Sequence, residues 1–384
     1  MQTGDLETPG VAMFAAKLPP EAPAARPDPS MPLLLLPAGY GDGPEVAAHA
    51  AMRGMTVIGA SSVANDPAAA GCDAFVALPH VSDPAFDARL GEAIRAHGVG
   101  QVHVTHFAIW SRLKSRLAEI APGVTLSFGR SHLDLQDEYR AMMARVAAAP
   151  AIPEMEASPT QRPALSLIEA VGMLRAATAI QGESYEPKLL ALIEAMRRAP
   201  AGDIVEIGSL FGRTAAFMAM LNNRYDLGQV LCVDPWTPGA IDQGQAALKE
   251  AGLMFDWNAF RSMFEVNVAP FAQGRLNYIQ ALSTDGARTY AGREVVTEAF
   301  GRNVYEGQIG VLHIDGNHKY ESVVADIAAW APYVKPGGWL VLDDYEWDWG
   351  DGPQRASDEY IAANTDRIRF TFVRGHAMFV QLKD

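Results

Sequence analysis

The residues best suited to chemistry are acids and a histidine that follow two apolar runs late in the chain. Asp315 closes the run 309–314, His318 comes three residues later, and Asp343 and Asp344 close a second apolar run. Short apolar runs predict buried strands, and parallel strands deliver the residues at their carboxyl ends to one edge of a sheet. We therefore predict that these four side chains lie together at a ligand-binding edge.

Carboxylates held this closely repel one another unless a cation or hydrogen-bond donors neutralise them. Mg²⁺ prefers oxygen ligands and keeps several waters, so two or three carboxylates suffice to bind it. We predict a Mg²⁺ site formed by Asp315, Asp343 and Asp344. The ion would orient a hydroxyl group of an acceptor, and His318 would take its proton near neutral pH. The alternatives are that His318 only supports the start of a helix and that Asp344 only holds a backbone amide.

A second stretch, residues 203–236, has the layout strand, glycine loop, helix, strand and acid. Glu206 lies in the first apolar run, Gly208 and Gly212 bracket the loop, and Asp234 closes the second run. Glycines let the backbone approach a ligand, and the terminal acid can accept hydrogen bonds from ribose hydroxyls. The spacing is not the dinucleotide pattern, and the P-loop lysine is absent. An ordinary strand–helix turn without a ligand is the alternative.

The pattern E-x-G-x-x-x-G, followed by a strand that ends in Asp, resembles the first two motifs of class I S-adenosylmethionine (SAM) methyltransferases. The stretches VEIGSLFGRTAAF and IDGNHKYESVVADIAAWAPYVKPGGWLVLDDY resemble the macrolide-sugar O-methyltransferases, the macrocin and mycinamicin type. This resemblance runs from about Gly182 to the C-terminus. It implies that Mg²⁺ binds Asp315, Asp343 and Asp344 and that His318 is the base.

The same resemblance implies a SAM site. Asp315 is then both a catalytic residue and a SAM contact. Ser283, with Asp285 as the alternative, lies in the loop that touches adenine, and Gly182 lies in the segment over the methionine end of SAM. For Gly182 the alternative is a plain helix start. The other expected SAM contacts are Glu206, Gly208, Ser209, Gly212, Arg213, Asp234 and Trp236.

The elements that must position these residues alternate between strands and helices, which predicts an α/β protein with parallel sheets. A chain of 384 residues is long enough for two domains. We predict a flexible tail at residues 1–30, a smaller N-terminal Rossmann-like domain at 31–148, a linker at 149–163 and a Rossmann-like class I methyltransferase domain at 164–384. Within the last domain, the Lys-Pro-Gly-Gly stretch 335–338 predicts a tight turn.

The N-terminal stretch 54–106 resembles the small Rossmann-like domain that precedes the ATP-grasp module in carbamoyl-phosphate-synthetase-type ligases. No ATP-grasp pattern follows, so the resemblance does not imply ligase activity. We expect this domain to serve packing or dimerisation. A nucleotide or sugar-nucleotide pocket near residues 39–43 is the alternative.

Composition narrows the class of partner. A net charge of −14 argues against nucleic acid, which requires clustered Lys and Arg. No apolar run is long enough to span a bilayer and no signal peptide is evident, so we expect a cytoplasmic protein without a membrane partner. The two cysteines, Cys72 and Cys232, are expected to be buried thiols in a reducing compartment. We also expect a homo-oligomer.

These features support three functional hypotheses. The first is a Mg²⁺-assisted, SAM-dependent O-methyltransferase whose small-molecule partner is a hydroxylated sugar or secondary metabolite. The second is the same enzyme without a metal, in which Asp315 and Asp344 orient His318 as the sole base. The third is a SAM- or nucleotide-binding scaffold without catalysis. A hydroxylase is disfavoured because the chain has no clear pattern of two histidines and one carboxylate.

Overall fold

The computed structural model of the protein describes residues 30–63, 65–128, 132–159, 162–243 and 246–384. The chain divides into two compact units between Tyr139 and Arg140. The predicted α/β fold is confirmed, with one parallel sheet in the first unit and a larger sheet in the second. The predicted tail lies outside the described residues except for Ser30, and the bounds of the linker stay a prediction. No described helix is both long enough and apolar enough to cross a bilayer.

The first unit is built on five parallel strands in the order β3-β2-β1-β4-β5. Its central strand is buried along its whole length because it is the apolar tetrapeptide Leu33–Leu36. The strands are β1 (Leu33–Leu36), β2 (Val57–Ser61), β3 (Ala74–Ala77), β4 (Gln101–Val104) and β5 (Thr125–Phe128). The helices are α1 (Gly43–Met52), α2 (Phe86–His97), α3 (Phe107–Ile120) and α4 (His132–Ala147), which contains the boundary between the units.

The second unit contains a seven-stranded sheet in the order β13-β14-β12-β11-β6-β7-β8, and a separate hairpin formed by β9 and β10. Strand β14 is antiparallel to both its neighbours, and the other pairs are parallel. The strands are β6 (Asp203–Ile207), β7 (Val230–Val233), β8 (Leu276–Ile279), β9 (Glu294–Thr297), β10 (Gly301–Val304), β11 (Ile309–Ile314), β12 (Val334–Leu342), β13 (Ile368–Arg374) and β14 (Ala377–Leu382).

Helices cover both faces of this larger sheet. They are α5 (Leu167–Thr178), α6 (Glu186–Arg198), α7 (Arg213–Tyr225), α8 (Ala246–Gly252), α9 (Trp257–Ala272), α10 (Ser283–Ala291), α11 (Tyr320–Trp330) and α12 (Gly352–Ala363). Consecutive strand residues point to opposite faces, so Ile204 packs into one apolar cluster and Val205 into the other. Because both faces are covered, the strands are continuous apolar runs, as parallel strands usually are.

Two local features differ from the sequence predictions. The tight turn predicted at residues 335–338 is wrong, because these residues continue β12 through an irregular stretch. There Gly337 has a φ of +74° and the pairing of β12 with β11 shifts register. Helix α10 and the β9–β10 hairpin were not predicted, since each hairpin strand has only four residues and is largely exposed.

The hairpin is fastened to the outer strand β8 by Asn277, whose side chain is fully buried. Its amide nitrogen donates to the carbonyls of Val295 and Gly301 at 3.3 and 2.9 Å, and to Asn303 at 3.1 Å. Its amide oxygen accepts from the Thr297 hydroxyl at 2.7 Å. One side chain therefore pairs with both hairpin strands.

We expect Asn277→Ala to lower the free energy of unfolding by about 2–4 kcal/mol, because several buried polar groups lose their partner at once. Chemical denaturation measures this change. The matched control is Asn258→Ala at an exposed position, where a change below about 0.5 kcal/mol is expected. Equal stabilities of the two variants would contradict this account of the hairpin.

Asp326 is a buried carboxylate on helix α11. Burial raises its pKa from 3.8 to about 6, and a hydrogen bond from Ser283 only partly opposes this. Ser283 in turn accepts a hydrogen bond from the Trp330 indole at 2.9 Å. The folded protein therefore binds the proton of Asp326 more tightly than the unfolded chain does.

The raised pKa gives a definite pH dependence. Between about pH 4 and pH 6 the folded state binds the proton more tightly than the unfolded state, so the contribution of Asp326 to stability falls as pH rises through this window. We expect Asp326→Asn to increase the free energy of unfolding by up to about 3 kcal/mol at pH 7 and by little at pH 4. Urea denaturation at both values measures this, and an equal effect at both would contradict it.

Candidate active site

The carboxyl ends of four neighbouring strands form the candidate site. Strand β6 leads into the loop that starts at Gly208, β7 ends before Asp234, β11 ends before Asp315 and β12 ends before Asp343. These strands run parallel, so the acids that follow them reach one edge of the sheet, as predicted.

Gly208 brings two of these loops into contact. Its φ is +81°, and a Cβ at this position would overlap the backbone carbonyl of Asp315. Gly212 has a φ of +87° and begins α7, where a Cβ would crowd Val268 and Phe264 of α9. The close approach to a ligand that the sequence predicts at both glycines stays a prediction, and the contacts seen here are between protein segments.

Asp234 holds the glycine loop in place. Its carboxylate accepts hydrogen bonds from the backbone amides of Ser209 at 2.9 Å, Leu210 at 3.0 Å and Trp236 at 2.8 Å. Burial raises the pKa of Asp234, and these three amide donors partly oppose the shift. The predicted contact with ribose hydroxyls stays a prediction.

The other predicted SAM contacts are tied into the framework to different degrees. The Trp236 ring is buried, and its indole donates to the Leu210 carbonyl at 2.9 Å. Arg213 donates to the carbonyls of Ile180 at 2.8 Å and Ser184 at 3.2 Å, which fastens the segment around Gly182 to the start of α7. Ser283 lies behind the edge, between Trp330 and Asp326. Their roles as SAM contacts stay predictions.

A buried charge network lies beneath the edge. Lys188, in the first turn of α6, forms an ion pair with Asp343, and its Nζ lies 3.5 Å from Oδ2 of Asp315. His313 of β11 lies between Glu206 and Asp343, with Nδ1 3.3 Å from Glu206 and Nε2 3.6 Å from Asp343. The Ser209 hydroxyl donates to Glu206 at 2.7 Å, so the network reaches the glycine loop.

The network sets the protonation of its members. Burial alone would lower the pKa of Lys188, but Asp343 and Asp315 outweigh it and raise that pKa. Burial would likewise lower the pKa of His313, yet the neighbouring carboxylates of Asp343 and Glu206 raise it to about 9. Burial opposes ionisation of Asp343, but Lys188 and His313 hold its pKa well below the usual range. The neighbouring carboxylates therefore stabilise the cationic forms of Lys188 and His313.

His318 and Asp344 form a second, more accessible pair at the same edge. Nε2 of His318 lies 2.8 Å from Oδ2 of Asp344. Its Nδ1 is buried and has no hydrogen-bond partner within the described part of the chain. The imidazole also meets the Trp347 ring edge-on, with centroids 4.7 Å apart. Asp344 has a φ of +53°, an uncommon backbone conformation for this residue.

The segment after Trp236 is tied to the loop that carries His318. The Asn317 amide donates to the carbonyls of Ala240 at 3.2 Å and Asp242 at 2.9 Å, and Lys319 pairs with the Asp242 carboxylate at 3.2 Å. Residues 237–243 therefore lie against the Asp315–Lys319 loop.

Two groups of side chains at the edge have donor atoms close enough to hold one metal ion: His313, Asp315 and Asp343, and Asp315, His318 and Asp344. The second group suits Mg²⁺ better, because the side chains of Asp315 and Asp344 are 27% and 30% exposed and offer hard oxygen donors beside water. The Asp343 side chain is only 8% exposed and already pairs with Lys188. The ligand set predicted from the sequence stays a prediction.

Lys188 and His313 were missed by the sequence reasoning. Lys188 stands in the apolar helix sequence that follows Pro187, and His313 stands inside an otherwise apolar strand. A charged residue within an apolar run was the available signal, because such residues are seldom fully buried unless they are paired.

Comparison with known proteins agrees with this geometry. Residues 205–345, which include both loops of the edge, match the family described as "Methyltransferase domain". One curated relative, an uncharacterized protein of Acanthamoeba polyphaga mimivirus, is 44% identical over 46 residues. That match covers 12% of this chain and 20% of the relative.

Several solved methyltransferases have a distant likeness. The O-methyltransferase NovP has 16% identity and a TM-score of 0.37 over 65% of this chain and 99% of its own. The TDP-rhamnose 3'-O-methyltransferase CalS11 of calicheamicin biosynthesis has 16% identity and a TM-score of 0.36, covering 67% and 97%.

MycE from the mycinamycin pathway, in complex with Mg, SAH and mycinamycin VI, has 18% identity and a TM-score of 0.36, covering 58% of this chain and 56% of its own. At these scores the structural likenesses support no conclusion of their own. The family match does not reach the first unit. The predicted resemblance of that unit to a ligase domain is therefore unsupported. The matched span does contain the glycine loop, the buried charge network except Lys188, and His318 with Asp344, and we conclude that residues 205–345 form a methyltransferase domain.

Proposed function

We propose that the second unit is a SAM-dependent O-methyltransferase that acts, with the help of Mg²⁺, on a hydroxyl group of a sugar or another secondary metabolite. The contact between Gly208 and the Asp315 carbonyl carries this proposal, because it sets the glycine loop directly against the loop of His318. A donor bound at the first loop and an acceptor bound at the second would then be neighbours. The methyltransferase match over both loops supports the same arrangement.

The reaction requires a methyl donor and a deprotonated acceptor. SAM supplies an electrophilic methyl group on a positively charged sulfur. The acceptor oxygen attacks the methyl carbon in line with the carbon–sulfur bond, that bond breaks with its electron pair on sulfur, and the hydroxyl proton passes to the enzyme. By holding both reactants in this geometry the protein can supply much of the rate enhancement.

His318 is the proton acceptor that we propose. Its Nε2 pairs with Asp344, which fixes the ring and stabilises the imidazolium once the proton has arrived. Nδ1 is buried and lacks a hydrogen-bond partner among the described residues, so the proton would reach it only if acceptor binding uncovers this side of the ring. Trp347, in edge contact with the ring, limits its movement.

The accessible carboxylates would hold the metal. Asp315 and Asp344 have oxygen donors close together at the exposed side of the edge, which suits Mg²⁺. Bound there, Mg²⁺ would act as a Lewis acid that lowers the pKa of the acceptor hydroxyl.

We expect His318→Asn to lower kcat for methyl transfer by about 100-fold or more, since general base catalysis contributes roughly 10²–10⁴-fold. The affinity for SAM should stay within about threefold, because His318 acts on the acceptor side. Transfer of a labelled methyl group to a panel of hydroxylated sugars and metabolites measures kcat, and calorimetry measures SAM affinity. The control is His49→Asn, at an exposed position of α1.

Three results would count against parts of this proposal. An absence of binding heat with both SAM and S-adenosylhomocysteine would contradict the proposed SAM site. SAM binding without methyl transfer to any hydroxylated acceptor would favour a SAM-binding scaffold. Unchanged turnover in the His318→Asn variant would contradict the role of His318 as the base.

We further expect a chelator to reduce turnover about tenfold or more and added Mg²⁺ to restore it, because a bound metal stabilises developing charge on the acceptor oxygen. SAM affinity, measured by calorimetry, should not change. Full turnover in the chelator would favour the metal-free enzyme, which the His318–Asp344 pair at 2.8 Å also supports.

A further inference from the structure

Lys188 occupies a position at the acidic edge where a metal ion would otherwise be expected. Its ammonium pairs with Asp343 and lies 3.5 Å from Asp315. The same two acids belong, with His313, to one of the two groups whose donor atoms could hold a metal ion. The Lys188 ammonium therefore neutralises carboxylate charge at the part of the edge that this group occupies.

The lysine has little freedom to leave this position. Its side chain is only 3% exposed. The turn between β13 and β14 packs closely against the start of α6, because a Cβ on Gly375 would collide with the Lys188 backbone. Both the backbone and the ammonium group of Lys188 are thus held by the surrounding structure.

This arrangement divides the acids at the edge into an inner and an outer set. Asp343 faces Lys188 and the Nε2 of His313 and is nearly buried, whereas Asp315 and Asp344 are each more than a quarter exposed. A divalent ion on the same oxygen of Asp343 would lie within a few ångströms of the ammonium, where like charges repel strongly. Asp315 also lies 3.5 Å from the ammonium, but its side chain is 27% exposed, so an ion can approach it from the water side, and Asp344 forms no ion pair with Lys188 among the described residues.

We infer that Lys188 is the built-in cation of the inner half of the edge, so that a divalent ion is confined to Asp315 and Asp344 and Asp343 is not one of its ligands. This inference rests on the proposed function only for the presence of the ion. It makes Lys188 a positioning residue, which keeps the ion on the exposed side, next to His318.

Manganese titration of the complete chain tests the inference, with the electron paramagnetic resonance signal of free Mn²⁺ as the readout and no turnover required. Lys188→Met should tighten Mn²⁺ binding at least about tenfold, because Asp343 becomes available to the ion. The double variant Lys188→Met with Asp343→Asn removes one charge of each sign and should bind within about threefold of the natural protein. Asp344→Asn should weaken binding about 100-fold or more, because a ligand is lost.

The control is Lys335→Met, which removes a lysine paired with Glu306 elsewhere in the same unit and should leave Mn²⁺ affinity unchanged. Thermal unfolding in a chelator checks that each variant folds. If Lys188→Met leaves Asp343 too poorly compensated to fold, the double variant still decides the question, because it removes both charges.

Loss of Mn²⁺ binding in the double variant would make Asp343 a ligand and overturn the inference. Unchanged or weaker binding by a folded Lys188→Met variant would overturn it as well. If the natural protein binds no Mn²⁺ but Lys188→Met does, the inference stands and the metal-assisted form of the proposed function fails. If neither binds, both fail.

Discussion

The structure of the site depends on how buried negative charge is neutralised at one edge of a sheet. Carboxylates at a largely buried site require compensating charge, and Glu206, Asp343 and Asp315 each lie beside His313 or Lys188. Lys188 and His313 provide that compensation from below, one from a helix and one from a strand. Because breaking a buried ion pair is costly, the contact of Lys188 with Asp343 also fixes α6 against the sheet.

The fold divides the work at this edge between inner and outer residues. The Asp234 carboxylate accepts hydrogen bonds from the glycine loop, and Glu206 links that loop to His313. These residues maintain the shape of the site. Asp315 and Asp344 are more exposed, and with His318 they are the residues that the proposed metal ion and acceptor would contact. A rigid inner layer beneath a reactive outer layer is a general way to preorganise catalytic groups.

The sequence predicted the α/β architecture and the convergence of acids at one edge, because both follow from apolar runs and the direction of parallel strands. It did not predict the partner of Asp343, since Lys188 precedes it by 155 positions and meets it only through tertiary packing. It also did not predict the partners of the Trp236 ring, because its contacts with Phe264 and Tyr278 are long-range. The β9–β10 hairpin escaped prediction because its strands are short and depend on Asn277.

The attachment of residues 237–243 to the loop of His318 has an evolutionary consequence. Asn317 and Lys319 hold this segment next to the histidine that we propose as the base. A substitution in the segment that breaks these contacts therefore also disturbs the loop of His318. If the proposed acceptor binds beside this segment, changes in substrate range and in turnover rate would be inherited together.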